Sequence, residues 1–120
     1  MAVGAICKQV LKNFNIEFTS HVVQIGDIKD DNIYDFDFIK NNVNNSEIRC
    51  VNPSLEEKIK NKIDECKKDG DSLGGIVEIR VKNIIPGLGS YTHFDKKRDG
   101  QLAMHLMGTQ AIKGVEIGIG

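Results

Sequence analysis

Three histidines are the side chains best suited to acid–base chemistry near neutral pH, because imidazole titrates there. They are His21, His93 and His105. None of them stands at a spacing from a cysteine or serine that is typical of a catalytic triad. His21 falls inside an alternating run of apolar and polar residues, which favours a structural position. His93 lies two residues before Asp95, in a stretch that predicts a loop near solvent. The sequence therefore predicts no catalytic residue.

Possible metal ligands are also sparse. The three cysteines, Cys7, Cys50 and Cys66, are far apart in sequence, which matches neither a zinc site nor a disulfide framework. We expect three reduced thiols, as in a cytosolic protein. Asp35 and Asp37 could hold a hard cation only weakly, because their spacing does not match that of a calcium-binding loop. No metal site is predicted.

Two glycine-containing segments could present backbone N–H groups to an anion. Residues 71–75 (DSLGG) precede a predicted strand, whereas phosphate-binding and dinucleotide-binding loops place their glycines between a strand and a helix. Residues 86–89 (PGLG) follow a strand. We interpret residues 71–75 as a turn that enters the strand. For residues 86–89, a turn leading to a partner surface is favoured over an anion site.

The elements that would position these residues mix helices and strands, as judged from the spacing of apolar residues. Helices are predicted over residues 3–14, 35–41, 54–69 and 99–108. Strands are predicted over residues 16–28, 75–85 and 114–119. This order favours an α+β fold with an antiparallel β-sheet and helices packed on one of its faces.

The chain has 120 residues, which fit a single domain over residues 1–120 with a sizeable core. Residues 29–53 are polar and rich in asparagine, and they are predicted to be an excursion from that core. Ser54 and Glu57 match a capping box at the start of the helix over 54–69, and Gly70 is its natural stop.

The strand over 75–85 alternates regularly. Its apolar side chains are predicted to face a core, and its charged side chains are predicted to face water. The apolar set is Val77, Ile79 and Val81, and the charged set is Glu78, Arg80 and Lys82. In the helix over 99–108, the residues predicted to face inward are Leu102, Ala103, Leu106 and Met107.

Composition narrows the class of partner. Sixteen Lys and Arg against seventeen Asp and Glu give a net charge of -1, and Trp is absent. Nucleic-acid-binding proteins normally show a basic excess and stacking aromatics, so we expect no nucleic-acid partner. No apolar run is long enough to cross a membrane, and the N-terminus lacks the basic region of a signal peptide. We expect a cytoplasmic protein without a membrane partner.

Several strings of this sequence, in the same order, resemble those of chorismate synthases. They are residues 2–5 (AVGA), 20–26 (SHVVQIG), 70–78 (GDSLGGIVE), 86–90 (PGLGS), 94–96 (FDK) and 110–118 (QAIKGVEIG). The last string is the most specific. Several unusual strings in one order are stronger evidence than a single short motif.

The resemblance implies a β-α-β sandwich, with helices between antiparallel sheets, that assembles as a homotetramer. It also implies a small-molecule substrate, because family members eliminate phosphate from 5-enolpyruvylshikimate 3-phosphate to give chorismate. That reaction needs reduced FMN. A basic pocket is expected to hold the anionic substrate in the whole enzyme.

The chain lacks the family segments that carry the catalytic histidine and aspartate, the substrate arginines and the flavin contacts. These are the Gly-x-Ser-His-Gly segment, the Ser-x-Arg and Arg-Glu-Thr stretch, the Asn/Gly-rich flavin segment and the Arg-x-Asp-Pro segment. The three arginines of the chain, Arg49, Arg80 and Arg98, lie outside matching family motifs. The resemblance therefore assigns no catalytic, cofactor-binding or metal residue to this chain.

We expect an excised middle region of a chorismate synthase that is inactive alone and binds no FMN. The alternative is a stand-alone chorismate-synthase-like binding or assembly module without catalysis. Without its usual neighbours the chain should expose apolar surface, so we expect a dimer or higher oligomer. Two residues depart from the family pattern: Arg98 replaces an apolar residue, and His105 replaces a small residue and would be half-buried on its helix.

Overall fold

The structure is a computed structural model that describes residues 1–118. The chain divides into two compact units, Met1–Asn83 and Ile84–Gly120. Each unit is described by itself, and the single domain expected from length stays a prediction. Within the described residues, no helix combines the length and the apolar character that crossing a bilayer requires.

The first unit holds a three-stranded antiparallel sheet with helices, which confirms the predicted α+β class. Its elements are α1 (Ala2–Lys12), β1 (Glu17–Ile25), β2 (Ile28–Lys29), α2 (Phe36–Asn42), a 3₁₀ turn (Val43–Asn45), α3 (Pro53–Asp69) and β3 (Gly75–Lys82). The strands lie in the order β2-β1-β3. β1 therefore forms the centre of the sheet and pairs with both neighbours.

The polar face of the sheet is the covered one, which is the reverse of the prediction for strand 75–85. Its side chains are Glu17, Thr19 and His21 of β1, which lie opposite Lys82, Arg80 and Glu78 of β3. Thr19 and His21 are buried, whereas Val77 and Ile79 on the opposite face are 59% and 53% exposed. The alternation was predicted correctly, but alternation alone does not indicate which face another segment covers.

Residues 29–53 supply most of the buried core of this unit, so the prediction of an excursion from the core was wrong. Ile39, Val43 and Val51 form the buried cluster, and Tyr34 packs against it. The segment is polar on average. Ile39 of α2, Val43 of the turn that follows and Val51 nevertheless point inward, and their contacts fix the segment over the polar face of the sheet.

α3 begins at Pro53, one residue before the predicted start of the helix. The Asn52 side chain is the cap, and its Oδ1 accepts a hydrogen bond from the Ser54 backbone N–H at 3.1 Å. Pro53 takes the first helical position, where its missing N–H costs nothing. Gly70 ends the helix in the left-handed conformation, with φ of 69°, as predicted.

The apolar stripe of α1 is largely exposed, and Leu11 is its half-buried member. None of its side chains is buried, and Ile6 is 63% exposed. The helix was predicted from this stripe, and its formation is confirmed. The exposed stripe and the uncovered face of the sheet are the apolar surface expected for a chain that lacks its neighbours.

The second unit contains a 3₁₀ turn (Phe94–Lys96) and α4 (Arg98–Met107). α4 confirms the predicted helix over 99–108, but none of its side chains is buried. The strand predicted over 114–119 is absent from residues 114–118, and residue 119 lies outside the described residues. Residues 114–118 alternate between apolar and other residues, but no second strand pairs with them in the described structure. A strand forms only where a second strand shares its backbone hydrogen bonds.

Candidate functional site

The polar face of the sheet carries a cluster of titratable side chains around a buried histidine. His21 is 4% exposed. Its Nε2 lies 3.4 Å from Oε2 of Glu78, and the same carboxylate oxygen lies 3.0 Å from Nε of Arg80. Register explains the arrangement, because His21 is the direct cross-strand partner of Glu78. We call His21, Glu78, Arg80, Tyr34 and Asp30 the His21 cluster.

The loop before α2 completes this cluster. The Tyr34 hydroxyl donates a hydrogen bond of 2.8 Å to Oδ2 of Asp30, and Arg80 Nη1 donates to the Tyr34 carbonyl oxygen. The Tyr34 ring meets the imidazole of His21 edge-on, with ring centroids 6.4 Å apart. Tyr34 also stacks on Phe38. The Tyr34 ring thus lies edge-on to the histidine, and the Tyr34 backbone carbonyl oxygen joins the loop to Arg80 of the sheet.

Burial controls the protonation of this cluster. Loss of hydration lowers the pKa of His21 below its ordinary value of 6.5, and the nearby Glu78 carboxylate opposes that effect. Burial and the hydrogen bond to Asp30 raise the pKa of Tyr34. Nδ1 of His21 is buried without a hydrogen-bond partner in the described structure. The neutral imidazole is therefore the form that this environment favours.

The sequence indicated His21 as structural, but it did not indicate the cluster. Asp30 and Tyr34 come from a loop whose path depends on the packing of α2. Glu78 and Arg80 were assigned to the wet side of a strand. The cross-strand register of β1 and β3 is the signal that would have found Glu78 and Arg80, and it is not readable from either strand alone.

His93 and Asp95 form an exposed pair, as predicted for a loop near solvent. His93 Nδ1 lies 2.6 Å from Asp95 Oδ1, and both side chains are more than half exposed. His105 is also exposed on α4 within the second unit, so its expected half-buried position is not seen there. An imidazole paired with one carboxylate is an orienting contact.

The turn at residues 86–89 lies in the same unit. Gly87 has a φ of 90°, which favours glycine. Arg98 at the start of α4 donates to the Leu88 carbonyl oxygen and, over 3.0 Å, to Oε1 of Gln101. The departure from the family pattern at Arg98 is therefore accommodated at the surface, where the guanidinium ties the turn to the helix.

The described surface includes two shallow depressions. The first, in the second unit, has a volume of about 350 Å³ and includes Phe94 and Lys97 in its lining. The second, in the first unit, has a volume of about 200 Å³ and lies between α1 and β1 beside Lys40. Lys97 is paired with Asp99, and Lys40 is paired with Glu17.

Neither depression fits the flavin that the resemblance implies. A site for FMN has to cover most of the ring system and offer free cationic or N–H donors to the phosphate. Both depressions are open, so neither covers a ring system. Lys97 and Lys40 are engaged by carboxylates, whereas Lys8 and Lys12 also line the second depression. No buried polar atom without a partner points into either one. Neither of these two depressions therefore supports a catalytic step through that cofactor.

The possible metal ligands are not brought together. Among residues 1–118, no group of three or more His, Cys, Asp or Glu side chains is arranged to hold a metal ion. Asp37 pairs with Lys82 instead, at 3.0 Å. All three cysteines are free thiols, as predicted. Burial raises the pKa of Cys50, so its thiol is the protonated, unreactive form at neutral pH.

Comparisons with known proteins agree along the whole chain. A family model described as "Chorismate synthase" matches residues 1–120. A chorismate synthase of Staphylococcus carnosus (strain TM300) is 50% identical over 120 residues, which cover 100% of this chain and 31% of that protein. A chorismate synthase of Staphylococcus epidermidis (strain ATCC 12228 / FDA PCI 1200) is 44% identical with the same coverage.

A crystal structure of chorismate synthase superimposes on the fold with a TM-score of 0.87 and 41% sequence identity. The match covers 99% of this chain and 38% of that one. The chain thus spans 31% of the length of the curated relatives named above. The resemblance drawn from six short strings is confirmed over the full sequence, and the chain belongs to the chorismate synthase family.

Proposed function

We propose that these 120 residues are part of a chorismate synthase, the lyase that eliminates phosphate from 5-enolpyruvylshikimate 3-phosphate to give chorismate in aromatic amino-acid biosynthesis. The observation that carries the proposal is the family match over residues 1–120. Identity of 50% to the Staphylococcus carnosus protein supports it. Reduced FMN would supply the reduced-flavin chemistry that this elimination needs in the whole enzyme.

The contribution of this chain is support for a pocket that other parts of the enzyme complete. The sheet has one face covered by residues 29–53 and one apolar face free to receive other elements. Neither of the two depressions described above fits the flavin, and His21, the centre of the His21 cluster, is buried. A scaffold role agrees with these observations better than a role in holding the reacting groups.

A chimera tests this proposal directly. The matching 120 residues of the Staphylococcus carnosus enzyme are replaced by this chain, and chorismate formation is followed anaerobically with reduced FMN. We expect turnover within about tenfold of the parent enzyme. A tenfold loss corresponds to about 1.4 kcal/mol of transition-state stabilisation. The unmodified enzyme is the control. A folded, correctly assembled chimera without activity would contradict the proposal.

The chain by itself gives the complementary measurement. Titration of the 120-residue chain with reduced FMN and substrate should give neither flavin binding nor chorismate. Tight flavin binding would instead show that this region contributes part of the cofactor pocket. The scaffold role requires both results together: an active chimera, and an isolated chain that neither binds flavin nor forms chorismate.

We also propose that the isolated chain self-associates, as the family's homotetramer suggests for the whole enzyme. The exposed stripe of α1 and the exposed Val77 and Ile79 of the sheet support this. The alternative function, a stand-alone assembly module, rests on the same surfaces. An inactive chimera together with a defined oligomer of the isolated chain would favour that module. Free cysteines support a cytoplasmic location for either form.

A further inference from the structure

The second unit has no buried core. None of residues 84–118 is buried, and every buried side chain of the described structure lies before residue 60. Phe94 is 77% exposed, and Met104 on α4 is 64% exposed. Burial of apolar surface is the main force that offsets the loss of chain entropy on folding. The described conformation of this unit therefore lacks the usual source of stability.

Apolar side chains of this unit surround a space that none of them fills. Phe94, Ala103 and Ile117 line the open depression of about 350 Å³, together with Lys97, Asp99 and Gly100. Protein interiors contain few gaps larger than a water molecule. We therefore interpret this depression as one side of a core whose other side is not part of the unit.

Local interactions do not hold α4 in place of that core. The helix has ten residues, and isolated helices shorter than about 12–15 residues are marginal in water. Its cap position is Lys97, without a side-chain hydrogen bond, and its first turn includes Gly100, a poor helix former. The unit also contains no cysteine, and segments below about 40 residues usually need a disulfide, a metal ion or a partner to fold.

A much longer chain holds the same conformation. The crystal structure of chorismate synthase superimposes on 99% of this chain, a match that reaches into the second unit but accounts for only 38% of that longer chain. Most of that enzyme therefore lies outside the match. This outside part is the apolar cover that the crystal structure contains and that the isolated 120 residues lack.

We propose that residues 84–118 fold as they dock: they are largely unfolded in the isolated chain, and the part of a chorismate synthase outside these 120 residues orders them by placing apolar side chains against α4 and in the depression. Segments that cannot bury enough apolar surface alone commonly fold on binding in this way. The identity of the partner rests on the proposed function, whereas the unfolding of the segment in the isolated chain does not.

Hydrogen exchange read by mass spectrometry tests both parts of this proposal. It compares α4 in the isolated chain with α4 in the chimera described above, at the same pH and temperature. In the isolated chain, the α4 amides should exchange within about tenfold of the rate of an unstructured peptide. In the chimera they should exchange at least about 100-fold more slowly, because opening then requires separation from the cover.

α2 is the matched control for this comparison. It has seven residues and is shorter than α4, but it carries the buried Ile39. If burial and not helix length decides, α2 should be protected in both proteins. Protection of α4 in a monomeric isolated chain would overturn the proposal, and so would an unprotected α4 in a folded, assembled chimera.

A concentration series separates the assigned partner from a second copy of the chain. Protection of α4 that rises with the concentration of the isolated chain would identify a second copy as the cover and would overturn the proposal. An inactive chimera with a protected α4 would contradict the proposed function and leave the docking intact, so the two failures are distinguishable.

The Staphylococcus carnosus enzyme covers the case in which the chimera does not assemble. Exchange of the helix that matches α4 is then measured in that whole enzyme and in its own matching 120 residues. The helix should lose at least about 100-fold of its protection in the shorter chain. Equal protection in the two would overturn the proposal.

Discussion

Gly74 and Gly75 are neighbours with opposite tolerance for a side chain. A Cβ on Gly75 would lie 2.8 Å from the Gln24 carbonyl oxygen across the sheet, whereas a Cβ on Gly74 would meet nothing within 4 Å. Gly75→Ala should therefore destabilise the unit by about 1–3 kcal/mol, because the backbone of β1 has to shift. Gly74→Ala should change the free energy of unfolding by less than about 0.5 kcal/mol. Urea unfolding of both variants measures the difference, and equal effects would contradict the close approach.

Cysteine reactivity gives a second test at the scale of single residues. Cys50 is buried, and burial raises its pKa, so its thiolate fraction is small at neutral pH. In a variant with Cys7→Ser and Cys66→Ser, Cys50 should react with a maleimide only after denaturant is added. The converse variant, which keeps the exposed Cys7 alone, should react without denaturant. Rapid labelling of Cys50 in the native chain would be inconsistent with its burial.

Individual residues were the hardest to place from the sequence. The exposure of His93 beside Asp95 could be predicted because the two residues are close in the chain. The burial of His21 against Glu78 and Tyr34 could not, because it depends on strand register and on a loop that crosses the sheet. Contacts between residues distant in sequence need the tertiary fold before they can be named.

Elements were predicted more reliably than their ends. The predicted helices and the two long strands of the first unit formed close to the predicted bounds, because periodicity over several turns is a strong signal. The start of α3 differed from the prediction because a second residue competes for the cap position. Asn52 lies two residues before Ser54, and its side chain accepts a hydrogen bond from the Ser54 backbone N–H. Pro53 then fits the first turn. Two good caps close together cannot be ranked without the geometry.

The two capping interpretations of α3 lead to different mutational outcomes. Asn52→Ala removes the observed side-chain acceptor and should cost about 1 kcal/mol of stability. Glu57→Ala, which a capping box would make costly, should cost less than about 0.5 kcal/mol, because Glu57 is exposed. Thermal unfolding of the two variants compares them. A larger loss for Glu57→Ala would restore the capping box.

The segment over residues 29–53 should behave as core and not as an appendage. Ile39 on α2 is fully buried, so Ile39→Ala should destabilise the unit by about 2–5 kcal/mol through lost contacts and a residual cavity. Ile33→Ala, at a site 92% exposed, is the matched control and should be close to neutral. Denaturant midpoints measure both. A neutral Ile39→Ala would show that the segment does not hold the unit together.

At the scale of the whole molecule, the exposed apolar face of the sheet predicts self-association. Val77→Lys with Ile79→Lys places two charges on that face and should lower the oligomer mass seen by light scattering. Asp64→Lys on the exposed side of α3 makes the same net change in charge and should leave the oligomer unchanged. Equal loss in both variants would mean that charge, and not the face, controls association.

The fold class and the family were both predictable at this scale, and the covered face of the sheet was not. The α+β class follows from the mixture of periodicities, and six short strings identified the family before any fold was known. Which face is covered depends on the apolar side chains within residues 29–53, such as Ile39 and Val43. Polar neighbours in the sequence hide the pattern of these side chains. Average polarity of a segment thus conceals a few inward-facing side chains.

The pairing of β1 with β3 across residues 26–74 also sets an order of events during synthesis. At about 5–20 residues per second, β1 leaves the ribosome several seconds before its partner strand exists. The backbone hydrogen bonds within α1 and α3 are local, so both helices can form in that interval, while β1 has no β3 with which to pair. A translational pause between the two strands lengthens the time in which the nascent β1 can pair with another chain. The gene segment for residues 26–74 is therefore where slow codons would do most harm to folding.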